Sequence, residues 1–220
     1  MTAAQMELLA MVPAAYVAGS VPFGLLVGLA KGVDPRKAGS GNIGATNVGR
    51  LLGGKFFAIT FVLDLLKGLI PVLAAGAVLR FHAADQLSYF LWLLVGFATI
   101  FGHMFSVFLK FKGGKGVATS TGVILGVFPY YTAAAVVALA IFILVFKLTR
   151  YVSVASMIGS VSFMLAYLTL GLSMKWDVFG QQLPLLLFAA LVAGMIIFKH
   201  RGNIARLRAG TEHRFGAKAG

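Results

Sequence analysis

The sequence predicts an all-α, polytopic integral membrane protein, a bundle of helices that cross a lipid bilayer. Of its 220 residues, 60% are hydrophobic and only 11% are charged, and the mean hydropathy is +0.93. Long apolar runs alternate with short segments rich in Lys, Arg and Gly. This pattern is typical of membrane spans rather than of a soluble core. Because the length leaves room for one bundle, we expect a single membrane-embedded domain over residues 1–220.

The apolar runs predict the spanning helices in chain order. Five runs each predict one span: residues 8–30, 56–79, 87–109, 151–174 and 183–198. A further stretch, residues 117–146, carries no charge and is interrupted by Pro129. As one helix it would be about 45 Å long at ~1.5 Å per residue, against a hydrocarbon core of ~30 Å. It therefore forms either one tilted span or two helices that turn near Pro129.

The distribution of Lys and Arg favours two helices in that stretch. Two helices give seven spans with the N-terminus outside, which places sixteen of the 19 basic residues on the cytoplasmic side. Arg80 and Lys175 then lie outside, and Lys67 lies within the membrane. One helix would instead put nine basic residues on each side. Since basic residues are enriched in cytoplasmic loops, we predict seven transmembrane helices and a cytoplasmic C-terminus.

Composition also restricts the chemistry. The chain has no Cys, so disulfides, thiol nucleophiles and cysteine-bound metals are excluded. None of its four His belongs to an H-E-x-x-H pattern, so we predict no metal and no cofactor. The H-x-x-x-x-D signature of one large class of acyltransferases is absent as well. In so apolar a chain, a net charge of +13 indicates anionic lipid and phosphorylated substrates rather than nucleic acid.

The segment 102–119, GHMFSVFLKFKGGKGVAT, is the strongest candidate for a functional site. Its glycines permit a backbone whose N–H groups turn towards an anion, and its lysines add positive charge. These residues are Lys112, Gly113, Gly114, Lys115 and Gly116. Because Gly116 stands where a Walker P-loop carries its magnesium-binding Ser or Thr, a nucleoside triphosphatase is not expected. His103 lies at the membrane end of the segment.

Hydrogen-bonding groups are also concentrated in the segment 40–50, SGNIGATNVGR. It shows no apolar period and therefore predicts a loop. Its candidate ligand-binding residues are Ser40, Asn42, Asn47 and Arg50. A loop that concentrates donors and ends in Arg indicates a bound anion. The alternative is an ordinary flexible connection.

Two ionisable residues, Asp64 and Lys67, fall inside a predicted span. Three residues apart, they share a helix face and can pair. Ionisable groups at this depth cost several kcal/mol unless they are paired. The pair either takes part in function or locks helix packing near the site.

The C-terminal tail is basic and begins HRGNIARLRAGTE at residue 200. A basic helix lying on anionic lipid accounts for most of these residues. His200, Asn203 and Glu212 fit that explanation less well. They are candidates for hydrogen bonds to a polyol phosphate.

Three motifs together resemble those of the acyl-phosphate:glycerol-3-phosphate acyltransferases, the PlsY family. They are SGNIGATNVGR, GHMFSVFLKFKGGKGVAT and HRGNIARLRAGTEHRFG, in the family's order and with similar spacing. The elements DLLKG and RYVS lie between them, so the resemblance covers essentially the whole chain. One position departs from it. Ser106 stands where the family usually carries proline. We expect this serine to make the end of the helix less rigid.

The resemblance implies an enzyme of the bacterial inner membrane with its active site facing the cytoplasm. It would transfer a fatty acyl group from acyl phosphate to the 1-hydroxyl of sn-glycerol 3-phosphate. The products would be lysophosphatidic acid and phosphate, in phospholipid biosynthesis. A separate phosphate acyltransferase would supply the acyl phosphate.

Motif position in the family also assigns the site residues. The resemblance implies that the catalytic ones are Ser40, Arg50, His103, Lys115 and Asn203. It implies that substrate or phosphate is bound by Asn42, Asn47, Lys112, Gly113, Gly114, Gly116, Thr119, Ser153, His200 and Glu212. Either His103 or the phosphate of acyl phosphate accepts the hydroxyl proton, and we expect His103 chiefly to orient a substrate.

A transporter or channel for phosphorylated metabolites is the alternative function. The same cations would then form an anion filter, and polar residues would continue across the bundle. In the predicted topology nearly all polar residues lie on one side, apart from Asp64 and Lys67. We find no internal repeat, which also disfavours a secondary transporter.

Overall fold

The computed structural model describes residues 1–79 and 85–215, and the regular structure in these residues is helical. Arg80 and His82, in a predicted outer connection, and residues 216–220 lie outside the described residues. The α-helices are α1 (Ala3–Ser20), α2 (Phe23–Leu29), α3 (Ala45–Leu52), α4 (Gly54–Leu79), α5 (Gln86–Met104), α6 (Val117–Gly126), α7 (Thr132–Thr149), α8 (Val152–Ser173), α9 (Leu183–Lys199) and α10 (Arg201–Arg208). A short 3-10 helix covers Val107–Leu109.

Several helices are long and apolar enough to cross a membrane. Within the described residues, five stretches meet that condition: Ala3–Leu29, Gly54–Leu79, Gln86–Leu109, Thr132–Thr149 and Val152–Ser173. Helices α9 and α10 form a sixth candidate that is bent by 52°. The predictions of an all-helical fold and of several apolar helices long enough to span a membrane are thus confirmed. Seven crossing helices and the orientation of the termini stay predictions.

The apolar stretch 117–146 forms two helices rather than one. Helices α6 and α7 flank a break that contains Pro129, as the sequence predicts. Proline lacks a backbone N–H and disfavours the helical conformation in the residue before it. Pro22 similarly separates α1 from α2, whereas Pro13 lies inside α1.

The chain divides into two compact units, Met1–Phe128 and Pro129–Gly220. In the first unit α4 and α5 are central, and α1 and α6 pack against both. A Cβ on Gly68 would collide with the carbonyl oxygen of Thr119, and one on Gly122 with that of Leu65. Glycine therefore lets the backbones of α4 and α6 approach closely. In the second unit α8 packs against α7 and α9.

One predicted loop is partly helical. The sequence predicts a loop over residues 40–50, but α3 begins at Ala45, so the prediction is wrong for the second half. Ala45 and Val48 are buried and three residues apart, so they share one face of the helix, while Arg50 is exposed. Two apolar positions are too few to reveal a helical period in the sequence.

Candidate active site

The loop before α3 is organised by the buried side chain of Asn47. Its Oδ1 accepts a hydrogen bond of 2.8 Å from the N–H of Ser40. Its Nδ2 donates to the carbonyl oxygens of Pro35, Ala38 and Asn42 at 3.0, 3.1 and 2.9 Å. Because both donors and the acceptor of the amide are engaged within the loop, Asn47 holds its backbone in shape.

The other polar residues of this segment fall into two kinds. Asn42 also supports the backbone, since its Oδ1 accepts a 2.8 Å hydrogen bond from the N–H of Gly44, the residue that precedes α3. Ser40 and Arg50 are exposed, with Arg50 in the last turn of α3. The segment therefore presents a hydroxyl and a guanidinium at its surface, supported by two amides.

A small apolar cluster joins this segment to the segment 102–119. Ile43 from the first segment, Leu109 from the second and Leu25 of α2 are buried in it together. The first unit thus brings two motifs that are remote in sequence next to each other.

The glycine-rich turn (residues 113–116) lies directly against His103. The N–H of Gly114 donates to the carbonyl oxygen of His103 at 2.9 Å, and the N–H of Gly113 donates to that of Met104 at 3.2 Å. A Cβ on Gly113 would collide with the carbonyl oxygen of His103, and one on Gly114 with its ring Nε2. Both positions need glycine because a side chain would displace this histidine.

Helix α6 begins immediately after the turn. Gly116 precedes it with φ of 83°, a left-handed conformation that favours glycine. Lys115 is half-buried and Lys112 is exposed. Thr119, in the first helical turn, is fully buried, and its hydroxyl has no hydrogen-bond partner among the described residues. A helix N-terminus carries partial positive charge, so with Lys115 it can hold a phosphate.

A buried ionic cluster connects α4 to His103 on α5. Lys67 Nζ lies 2.8 Å from Asp64 Oδ1, and His103 Nδ1 lies 3.6 Å from the same oxygen. Lys67 Nζ also donates to the carbonyl oxygen of Val21 at 2.7 Å and lies 5.6 Å from the ring centroid of Phe23. The predicted pairing of Asp64 with Lys67 is confirmed. The proximity of His103 was not deducible from its position in the sequence.

In the second unit the carboxylate of Glu212 gathers three polar side chains. It accepts hydrogen bonds from Ser153 Oγ and Arg206 Nε, both at 2.8 Å, and from Asn203 Nδ2. Burial opposes ionisation of Glu212, but the hydrogen bonds from Asn203, Ser153 and Arg206 prevail and lower its pKa. Three predicted site residues are thereby brought together. Arg206 is not among the predicted site residues, although it follows Asn203 by three residues on the same helix.

The bend between α9 and α10 places His200 in a buried position. Its Nδ1 lies 2.7 Å from the carbonyl oxygen of Ile196. Because a carbonyl only accepts, Nδ1 carries the hydrogen, and the neutral ring has its acceptor at Nε2.

The end of the described tail folds onto the corner between α7 and α8. The N–H of Phe215 donates to the carbonyl oxygen of Arg150 at 2.8 Å, and Arg214 Nε donates to the hydroxyl of Tyr151 at 3.2 Å. These contacts bring Glu212 and Ser153 together. Across residues 1–79 and 85–215, no group of three or more His, Asp or Glu is placed to hold a metal.

Comparison with known proteins identifies the family. The family model described as glycerol-3-phosphate acyltransferase matches residues 9–210. The chain belongs to this family. A glycerol-3-phosphate acyltransferase of Aquifex aeolicus is 42% identical, over 96% of this chain and 100% of the relative. One of Geobacter sulfurreducens is 46% identical, over 92% of this chain and 95% of the relative.

Solved structures of this family share the fold. The crystal structure of PlsY, an integral membrane glycerol 3-phosphate acyltransferase, in its glycerol 3-phosphate form has a TM-score of 0.81 and 40% identity over 96% of both chains. The lysophosphatidic acid form of PlsY gives a TM-score of 0.79 and 39% identity over the same share. This member of the glycerol-3-phosphate acyltransferase family is therefore an integral membrane enzyme.

Proposed function

We propose that this enzyme transfers a fatty acyl group from acyl phosphate to the 1-hydroxyl of sn-glycerol 3-phosphate. The products are lysophosphatidic acid and inorganic phosphate, which makes the reaction a step of phospholipid biosynthesis. The observation that carries the proposal is the glycine-rich turn packed on His103 at the start of α6. It supports a phosphate site at the N-terminus of α6.

The reaction depends more on the positions of the two substrates than on a covalent enzyme intermediate. The hydroxyl oxygen attacks the carbonyl carbon of acyl phosphate, an ester C–O bond forms, and the bond to the phosphate oxygen breaks with its electron pair. The hydroxyl proton passes to the departing phosphate or to His103. Since phosphate is a good leaving group, no acyl-enzyme is needed. The enzyme must hold two phosphates near each other and keep the hydroxyl about 3 Å from the carbonyl carbon.

The first unit supplies most of the positive charge for this task. The N-terminus of α6 and Lys115 bind one phosphate, with Lys112 at the rim and Thr119 in the first turn of α6. The N–H groups of Gly113 and Gly114 instead hold the glycine-rich turn on the carbonyl oxygens of Met104 and His103. Arg50 binds glycerol phosphate, because its planar guanidinium can hold two phosphate oxygens at once. Ser40 donates a hydrogen bond to the same substrate.

The amides and the second unit have supporting and binding roles. Asn42 and Asn47 act on the backbone that carries Ser40. Motif position in the family supports substrate-binding roles for Ser153, His200 and Asn203, and Glu212 orients Ser153 and Asn203 within the second unit. This division follows the contacts of Asn47 and Glu212, whose polar atoms are engaged by other residues of the chain.

We further propose seven transmembrane helices, an outer N-terminus, a cytoplasmic C-terminus and a single catalytic domain over residues 1–220. The excess of basic residues on one side supports a cytoplasmic active site at the bacterial inner membrane. This location would let a separate phosphate acyltransferase deliver the acyl phosphate.

The direct test is to supply the purified protein in detergent with palmitoyl phosphate and glycerol 3-phosphate. We expect lysophosphatidic acid and phosphate in equal amounts. Lys115→Ala is expected to lose most of the activity, whereas Lys55→Ala, an exposed lysine at the start of α4, is the matched control and retains it. No lysophosphatidic acid, together with glycerol phosphate flux into liposomes, would contradict the proposal and support transport.

A further inference from the structure

Asp64 of α4 faces two partners inside the first unit. Its Oδ1 lies 2.8 Å from Lys67 Nζ on the same helix and 3.6 Å from His103 Nδ1 on α5. The side chains of all three residues are at most 4% exposed. A buried ion pair is costly to form and is weak evidence for stability by itself. The carboxylate of Asp64 also lies near the imidazole of His103. The ion pair with Lys67 does not by itself require this second neighbour.

Lys67 compensates the charge of Asp64. Its ammonium contacts the carboxylate, donates to the carbonyl oxygen of Val21 at 2.7 Å, and lies 5.6 Å from the centroid of the Phe23 ring. These contacts engage the donors of the ammonium with an anion, a carbonyl and an aromatic face. Val21 lies at the break between α1 and α2, outside both helices. The Asp64–Lys67 pair is therefore neutral and held at a defined place.

The two ring nitrogens of His103 lie in different environments. Nδ1 is the nitrogen near Asp64, whereas Nε2 is the atom that a Cβ on Gly114 would meet. The backbone carbonyl of His103 is also the acceptor for the N–H of Gly114. The imidazole thus lies between a buried carboxylate and the glycine-rich turn.

We propose that Asp64, compensated by Lys67, is a positioning residue that keeps the hydrogen of the His103 ring on Nδ1 and directs the Nε2 acceptor to the glycine-rich turn. A separation of 3.6 Å is longer than a hydrogen bond, so the carboxylate orients the ring through its charge in a poorly solvated setting. The group that selects the tautomer of a histidine decides which nitrogen can accept from a substrate. The substrate side of this inference rests on the proposed function.

The test needs a variant that removes the carboxylate without leaving a buried charge. Asp64→Asn alone strands the ammonium of Lys67 and is expected to destabilise the protein. The double variant Asp64→Asn/Lys67→Met removes both charges at similar volume, so its thermal midpoint in detergent should stay near that of the wild type. We expect its kcat/KM to fall about tenfold or more, because the ring loses its preferred tautomer and orientation.

Combination with His103→Gln separates positioning from packing. If Asp64 acts through His103, adding Asp64→Asn/Lys67→Met to His103→Gln causes little further loss, since the ring it would orient is gone. Losses that multiply, or a double variant with wild-type kcat/KM, would overturn the proposal. Asp85→Asn is the matched control: it removes the carboxylate that caps the other end of α5, and should lower stability without changing kcat.

A measurement without substrate keeps the two proposals distinct. In ¹⁵N-histidine-labelled protein, with His103 assigned by His103→Gln, we expect the hydrogen on Nδ1 in the wild type and a mixture of tautomers in the double variant. An unchanged tautomer overturns the role of Asp64. If the tautomer changes but no variant or wild-type protein makes lysophosphatidic acid, the positioning role holds and the proposed function fails.

Discussion

The hydroxyl of Ser106 donates a hydrogen bond of 2.6 Å to the carbonyl oxygen of Ser20. Ser20 is the last residue of α1, and the final carbonyls of a helix have no partner within it. The bond therefore connects the end of α1 to the segment 102–119, at a residue that follows the end of α5. The φ angle of Ser106 is −64°, close to the value that a proline ring imposes. The backbone is thus compatible with the proline that the family resemblance places at this position.

Ser106 can be tested with two substitutions of opposite character. Ser106→Ala removes the donor to a buried carbonyl and should cost about 1–2 kcal/mol of stability. Ser106→Pro also removes the donor, but it restricts the unfolded chain and should offset part of that cost. Thermal unfolding in detergent measures both, and activity should change little. A proline variant far less stable than the alanine variant would contradict this interpretation of the backbone.

Gly114→Ala should damage the site without unfolding the protein. Its Cβ would collide with Nε2 of His103, so either the ring or the turn must move. We expect kcat/KM to fall by about 100-fold, because small displacements of positioning groups are costly to catalysis. Gly54→Ala is the matched control, since a Cβ there meets nothing within 4 Å. Equal activity of the two variants would show that the turn is not part of the site.

Arg50→Ala should raise the KM for glycerol 3-phosphate more than it changes the use of acyl phosphate. A charge-assisted contact to phosphate contributes about 1.5–3 kcal/mol, which corresponds to roughly a 10- to 150-fold change. Arg50→Lys should recover only part of this, because a lysine cannot bind two oxygens in the same fork. Steady-state kinetics with each substrate varied in turn gives the answer. An unchanged KM for glycerol 3-phosphate would exclude Arg50 from that subsite.

His103→Gln tests whether the ring orients a substrate or removes a proton. If it chiefly orients, kcat should fall by about 10- to 100-fold, within the range of a lost positioning contact. Steady-state rates and substrate affinities of the variant distinguish the roles. A loss of several orders of magnitude in kcat with intact binding would instead identify His103 as the general base.

Glu212 should make the stability of the second unit depend on pH. Burial opposes its charge, but hydrogen bonds from Asn203, Ser153 and Arg206 lower the pKa of the folded carboxyl below its ordinary value of 4.5. The stabilisation is therefore complete above about pH 4.5 and is lost as the pH falls through the lowered pKa. Thermal unfolding from pH 7 to pH 3.5 should show this decline in the wild type.

Two variants isolate the contribution of Glu212. Glu212→Gln should be less stable at pH 7 and should lose less stability on acidification, because it has no charge to lose there. Glu7→Gln, at an exposed position in α1, should follow the wild-type curve. A Glu212→Gln curve parallel to the wild type would show that other carboxylates control the acid transition.

Much of the fold follows from local features of the sequence. Apolar run lengths predict helical spans, Pro129 predicts the break between α6 and α7, and the spacing of Asp64 and Lys67 predicts their ion pair. Each depends on residues close together in the chain, where helix geometry alone sets the distance. The helical second half of segment 40–50 was missed, because Ala45 and Val48 form a helix face only when another surface covers them.

The motifs were readable in the sequence, but the tertiary structure decided what each polar atom does. The amide of Asn47, a predicted ligand, is hydrogen-bonded to the backbone of its loop, and Glu212 gathers Ser153, Asn203 and Arg206. The carboxylate of Asp64 on α4 lies close to His103 on α5. The sequence by itself determined the helices and the residue types available for phosphate chemistry. Which of those residues meet depends on packing between segments remote in the chain, and local periodicity carries no information about that packing.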